Sequence, residues 1–452
     1  MDNDAIVMTE GSYRSQIIKF AIPLFLGNLF QQMYSAADSL VVGNVIGSTA
    51  LAAVSSSGSL IMLLIGLFQG LAMGAGVVIA QCIGAKIDQH TREAVATVVA
   101  VGFICGFLLI IIGVVLTPQI LILMGTPKSI MPESVEFLRV YFLGSMGFVM
   151  YNTFISILQA NGDSKGPLYY LIASSVVNIA FDIIFIYWLH LSVGFSALAT
   201  VIAQTFSACL AYNKLRKLKG PSRVDLRHLK IYRPMLKLTI DYGLPSGLQN
   251  SLISVSNVVI QSYINMFGAH AVAGIGAYTR VEGFAFLPVT SFTLALTTFV
   301  AQNLGAGKIK RIKEGVRFGV ILAVLIAEII GLSVFTFAPQ LIALFDPTPS
   351  VVAFGVGRAR VCGFFFFLVA ITHLIASVMR GAGKATIPML AMMLCWVVVR
   401  LAVLLGTKPF FQDIRMANWI YPATWFLSTI VLLNAYRHLD FALISQQTRK
   451  EA

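Results

Sequence analysis

Apolar runs, each about the 20 residues a helix needs to cross a bilayer, alternate with short polar connections along most of this chain. The pattern predicts twelve helices. In the first half they fall near 15–42, 54–80, 94–116, 135–158, 168–189 and 194–216, and in the second near 238–265, 275–302, 315–337, 352–379, 386–406 and 417–436. The polar positions inside two of them keep helical spacing. Asn28, Gln31, Ser35 and Asp38 share one face of the first span, and Gln249, Asn250, Ser254, Asn257 and Gln261 line the seventh. Pro23 in the first span and Pro288 in the eighth each remove a backbone hydrogen bond, and each is expected to bend its helix.

The pattern is also duplicated, at a constant shift of 221 positions. Gly47, Ala50 and Ala52 recur as Gly268, Ala271 and Ala273; Gln81, Gly84 and Ala85 recur as Gln302, Gly305 and Ala306; Gly162 and Pro167 recur as Gly383 and Pro388. Six spans per half is an even number, so both halves enter from the same side and the repeats are parallel. The expected architecture is an all-α integral membrane protein, with twelve transmembrane helices in two parallel six-helix repeats that form two lobes. The amino-terminal lobe is expected at 1–217, a basic linker at 218–235 and the carboxy-terminal lobe at 236–452. Paired bundles of this kind are the sequence signature of a transporter, with its site of action between them.

Composition excludes a soluble fold. The 452 residues are 58% hydrophobic and only 11% charged, where soluble chains carry about 25% charged residues. The net charge of +13 is concentrated in a few connections. Lys214, Arg216, Lys217, Lys219, Arg223, Arg227, Lys230, Arg233 and Lys237 crowd the stretch between the halves against a single acid, Asp225, and Lys308, Lys310, Arg311 and Lys313 follow the eighth span. The opposite connections are nearly uncharged, which places both termini and the linker in the cytoplasm, facing anionic lipid. The expected location is the inner (plasma) membrane. Nucleic acid is excluded as a partner, because the charge has no folded domain to sit on. Met1 to Glu10 carries acids, unlike a cleavable signal. The five cysteines are scattered singly and suggest neither disulfides nor a metal site.

Enzyme motifs fail on inspection. Gly305-Ala306-Gly307-Lys308 is followed by Ile309, where a phosphate-binding loop needs Ser or Thr. The protein is not expected to be an enzyme or to hold a cofactor, and ion-gradient coupling remains as the energy source. Ionisable residues within spans are costly and mark function. Asp38 lies near the outer end of the first span and Asp182 in the outer part of the fifth, with Asn178 one turn before it. Thr200 and Tyr141 reach the same depth. Together these five are expected to form a cation or proton site. In the second half, Glu282, Arg280 and Arg400 are open to two readings, a buried ion pair that supports the lobe or a contact to substrate. Glu328 is expected to be similar or to snorkel, His373 to be a packed core residue, and Arg139, Arg358 and Arg360 to anchor at the interface. Gln31, Ser35 and Asn257 are candidates for the cavity wall.

The chain resembles the multidrug and toxic compound extrusion (MATE) family. The resemblance rests on two six-span halves and on the repeated turns Gln81-Cys82-Ile83-Gly84-Ala85 with Gln302-Asn303-Leu304-Gly305-Ala306, and Gln159-Ala160-Asn161-Gly162-Asp163 with Arg380-Gly381-Ala382-Gly383-Lys384. It implies a V-shaped cavity between lobes and export of organic cations in exchange for H+ or Na+. It also implies that Asp38, Asn178, Asp182 and Thr200 form the cation site and that Pro23 lets the first helix bend. Some family members carry acids in the first and fourth spans of the second lobe, where this chain has Ser254, Asn257, Thr372 and His373; coupling is therefore expected in the first lobe. The expected partners are small amphipathic or cationic molecules and membrane lipids, with the chain acting as a monomer. The rival readings are a flippase for lipid-linked precursors, which needs a basic cavity for pyrophosphate, and a membrane sensor or scaffold that moves nothing.

Overall fold

The computed structural model describes residues 6–45, 48–123, 126–128, 130–407 and 413–451, without the side chains of 34–60, 62–65, 123 and 450–451. Helices account for nearly all of it, and no strand occurs among the described residues. The first half comprises α1 (Tyr13–Val45), α2 (Ser48–Ala85), α3 (Asp88–Leu123), α4 (Met131–Leu143), α5 (Ser145–Ala160), α6 (Lys165–Asp182), which continues as a π-helical turn at Ile183–Trp188, and α7 (Val193–Lys217). The second half opens with α8 (Arg233–Asn265), α9 (Ala269–Ala285), α10 (Leu287–Gly305), α11 (Ile309–Thr336) and α12 (Ala338–Ala343). It continues with α13 (Pro349–Phe364), α14 (Phe366–Gly381), α15 (Thr386–Met392), a π-helical turn at Met393–Val399, α16 (Arg400–Thr407), α17 (Ile414–Arg437) and α18 (Phe441–Glu451).

Seven helical segments are long and apolar enough to cross a membrane, and three bent pairs raise the number to ten. The two 33-residue helices α1 and α8, long enough but less apolar, stand where the first and seventh of the twelve expected spans fall. Two of the three bends obey the repeat. The fourth span turns by 47° between α4 and α5, at Gly144, and the tenth by 54° between α13 and α14, at Phe365. These two positions are 221 apart. A Cβ on Gly144 would run into the Val201 side chain, so glycine lets the elbow seat on α7. At the other elbow, the Glu328 carboxylate accepts the Phe367 backbone N–H at 2.9 Å. Glu328 thus satisfies a donor that the break in the helix releases, and no ion pair to it occurs among the described residues. The eighth span bends by 40° between α9 and α10, where Pro288 makes a break the local preference.

The halves pack through glycine. α2 runs along α8, and a Cβ on Gly70 would overlap the backbone of Gly247, as one on Gly74 would overlap Gly243. Small residues four apart on both helices let backbones approach closely, which in a bilayer replaces the missing hydrophobic drive between helices. The linker folds back on the first half: Tyr232 N donates to Thr97 Oγ1 at 3.0 Å, and Val224 is buried. Asp225, outside the spans, is held below the usual carboxylate range by the Arg227 backbone N–H and then by His228.

Overpacking at the glycine seam should cost about 1–3 kcal/mol. Gly247→Leu is expected to lower the thermal unfolding temperature in detergent, whereas Gly276→Leu, which meets nothing within 4 Å, should leave it unchanged. Equal behaviour of the two variants would refute the role given to the seam.

Candidate functional site

In the first lobe, α6 and α7 bring together part of the expected cation site. Asn178 and Asp182 lie one turn apart on α6 and are almost wholly buried, at 1% and 2% exposure. Asn178 Nδ2 donates to Thr200 Oγ1 on α7 at 3.2 Å. The α-helix ends at Asp182 and gives way to the π-helical turn, a local widening that often accompanies functional positions. α1 packs against α6, so the helix that carries Asp38 lies beside this cluster. The side chains of Asp38 and Ser35 fall outside the described residues.

Tyr141 is placed differently. Its ring stacks on Phe137 at 6.4 Å and meets Phe142 edge-on at 6.3 Å, in an apolar cluster with Val193 and Ala197 of α7. It therefore packs against the start of α7, in the turns before Thr200. On α1, Gln31 is exposed, and Asn28 reaches across to Thr290 and Ser291 of α10, both at 3.4 Å. α1 passes through Pro23 as one continuous helical segment.

The second lobe buries cations. Arg400, 1% exposed, donates from Nε and Nη2 to Thr424 Oγ1 at 3.2 and 2.8 Å. Its guanidinium lies 4.2 Å from the Tyr421 ring centre, and that of Arg358 lies 4.1 Å from the same ring. Arg358 was expected at the membrane interface; it is buried and donates to Ala417 O at 3.3 Å. The aromatic face explains the difference, because stacked arginine tolerates a dry site better than a hydrated ammonium would. Glu282 accepts from the Tyr278 hydroxyl at 3.1 Å, and no ion pair joins it to Arg400 or Arg280 among the described residues. Asn257 is exposed on α8. His373 packs between Phe286 and Trp396, at 4.9 and 5.4 Å.

At the end where the basic linker lies, the lobes exchange contacts. Gln81 Nε2 donates to Gly381 O at 3.1 Å, and Gln302 Nε2 donates to Ala160 O at 2.7 Å. Both the donors and the acceptors are 221 positions apart, so each half reaches the same carbonyl of the other. A Cβ on Gly84 would overlap Gln302 O, and one on Gly305 would overlap Gln81 O. The segment before α1 crosses the same seam. Ile6 N bonds Gly162 O of the first lobe, while Asn303 and Lys308 of the second donate to the carbonyls of Met8 and Thr9.

The model of the MatE family matches this chain twice, over residues 23–184 and 245–404. The chain belongs to the MATE family. The probable multidrug resistance protein YoeA of Bacillus subtilis is 30% identical over 92% of each chain. A probable multidrug resistance protein NorM of Thermotoga maritima is 26% identical, covering 90% of this chain and 88% of its own length. The crystal structure of a MATE protein in the straight conformation superposes with a TM-score of 0.90 at 22% identity, over the whole of both chains. These likenesses make the molecule a multi-pass membrane protein of a transporter family, in two lobes.

Two features of this MATE chain join residues of opposite halves. Gly66, Gly70 and Gly74 against Gly243 and Gly247 spell out a helix contact. Gln81 and Gln302 stand in the repeated turns, but spacing alone does not show that each reaches the other half.

Each glutamine bond should contribute about 1 kcal/mol to closure at this end. In Gln81→Ala/Gln302→Ala, spin labels at positions 89 and 310 are expected to give a broader distance distribution extending to longer separations; an unaltered distribution contradicts the lock. In the second lobe, Thr424→Val deprives a buried guanidinium of its acceptor and should cost about 2–3 kcal/mol, read as a lower unfolding temperature with the helix content retained.

Proposed function

We propose that this protein is a secondary antiporter that expels organic, mostly cationic compounds in exchange for H+ or Na+ by alternating access. The observation that carries the reading is the buried Asn178–Thr200 pair with Asp182, set where α6 turns π-helical and beside the helix that bears Asp38. An ionised carboxylate among apolar walls is costly, and a bound proton or cation offsets that cost. Oxygen donors from Asp182, Asn178, Thr200 and Asp38 suit a hard monovalent ion as well as a proton. The relatives' names, which speak of multidrug resistance, support small amphipathic molecules as cargo.

In this mechanism the ion enters the first lobe from outside, and its binding favours release of drug and a return to the state open at the opposite end. The basic end, where Gln81 and Gln302 close the seam, is then the cytoplasmic side of the plasma membrane, with both termini on it. Tyr141 forms the apolar wall next to Thr200, and Gln31, Ser35 and Asn257 line the path. Pro23 lets α1 flex as the site fills. Arg400 and Glu282 support the second lobe. A flippase reading loses ground because the buried guanidiniums of Arg400 and Arg358 are engaged by Thr424, Ala417 and Tyr421 within the lobe.

Proteoliposomes with an imposed proton or sodium gradient test the proposal. Asp182→Asn and Asp38→Asn are expected to reduce gradient-driven ethidium transport to the level of empty vesicles. Thr200→Val, which removes one hydrogen bond of about 1 kcal/mol, should reduce it about fivefold. Undiminished transport by either aspartate variant removes the mechanism.

A further inference from the structure

We infer that the second lobe carries a binding site for an anionic phospholipid, in a cleft between α11, α14, α17 and the start of α18. This goes beyond the antiport reading and rests on the chain's place in a bilayer. The cleft has a volume of about 490 Å³. Lys313 and Arg317, one turn apart on α11, and Arg437, in the last turn of α17, line it, and no acid does. Val316, Val320 and Ile375 form its floor. Three cations over an apolar floor match a phosphate headgroup with its glycerol ester stem.

Two further observations say what covers the cleft. First, it leads onto an exposed apolar track. From Arg317, the α11 face continues through Ile321, Leu325 and Ile329 at four-residue spacing, and these are 50%, 56% and 65% exposed. A basic head followed by an exposed apolar track down one helix is the layout of a lipid, with acyl chains along the track. Second, the cleft lies at the level where basic residues meet the headgroup layer: α11 begins just after Gly305, at the closed, basic end of the lobes. An adjoining cavity of about 290 Å³ shares Lys313 and Arg437 and adds Asp440. That carboxylate accepts the backbone N–H groups of Ala442 and Leu443 at 2.9 and 3.2 Å. It therefore caps α18, and the three cations still outnumber this one neighbouring acid.

The occupant is assigned as a lipid by the combination of charge and track; free phosphate shares only the first. Full-length protein, stripped of lipid in neutral detergent, is titrated with phosphatidylglycerol or phosphatidylcholine, and bound lipid is counted by native mass spectrometry. The wild type is expected to retain phosphatidylglycerol in preference. Arg317→Gln/Arg437→Gln should weaken that binding roughly thirtyfold, with each cation worth about fivefold. Arg216→Gln/Lys217→Gln, at the exposed end of α7, should leave it unaltered. Leu325→Ser should weaken lipid binding through the track alone. Equal retention of the two lipids, or an unchanged preference in Arg317→Gln/Arg437→Gln, overturns the site. Displacement of phosphatidylglycerol by inorganic phosphate at about millimolar concentration overturns the lipid assignment in favour of a free-anion site.

Discussion

A bilayer core offers no water, so every polar group placed there must find its partner within the chain. The places where this protein accepts that constraint define its working parts. In the first lobe, a carboxylate, an amide and a hydroxyl gather between α6 and α7. In the second, two guanidiniums share one tyrosine ring. Between them, two glutamines reach the carbonyls of opposite halves. Each arrangement is nearly dry, and each would be expensive to leave incomplete.

The two halves keep one skeleton and divide the chemistry. The elbow at Gly144 returns at Phe365, and the left-handed turn at Gly162 returns at Gly383. Side chains diverge where function separates them. Val403 stands in the second half where Asp182 stands in the first, and Ile179 stands where Arg400 does. Both the fifth and eleventh spans contain a π-helical turn, one just after Asp182 and the other just before Arg400. The first lobe thereby buries an acid where the second buries guanidiniums held by Thr424, Ala417 and Tyr421. The closure between them is built from neutral hydrogen bonds of about 1 kcal/mol each. That is weak enough for an ion bound in one lobe to bias the open and closed states.

Much of this was legible in the sequence because it rests on local pattern. The apolar runs marked the helices to within about seven residues at each end, the repeat was visible in its turns, and Pro288 announced a bend. What depends on long-range geometry was not legible. Glu328 bonding the Phe367 amide, Arg358 stacking on Tyr421, and Gln81 meeting Gly381 all join residues at least 39 positions apart in the chain, and no periodicity encodes them. The elbows at Gly144 and Phe365 fall inside the single runs 135–158 and 352–379, where no proline marks a break. Asn178 and Asp182 lay within reach because helical spacing alone puts them on one face.

The central claim is that an ion held at the Asp182 cluster governs the closure at the far, basic end. The most direct measurement follows the separation of the lobes at that end by paired spin labels while proton or sodium concentration is stepped, in wild type and in Asp182→Asn. The account predicts an ion-dependent shift in the wild-type distance distribution and none in the variant. The same ion-dependent shift in both would contradict it.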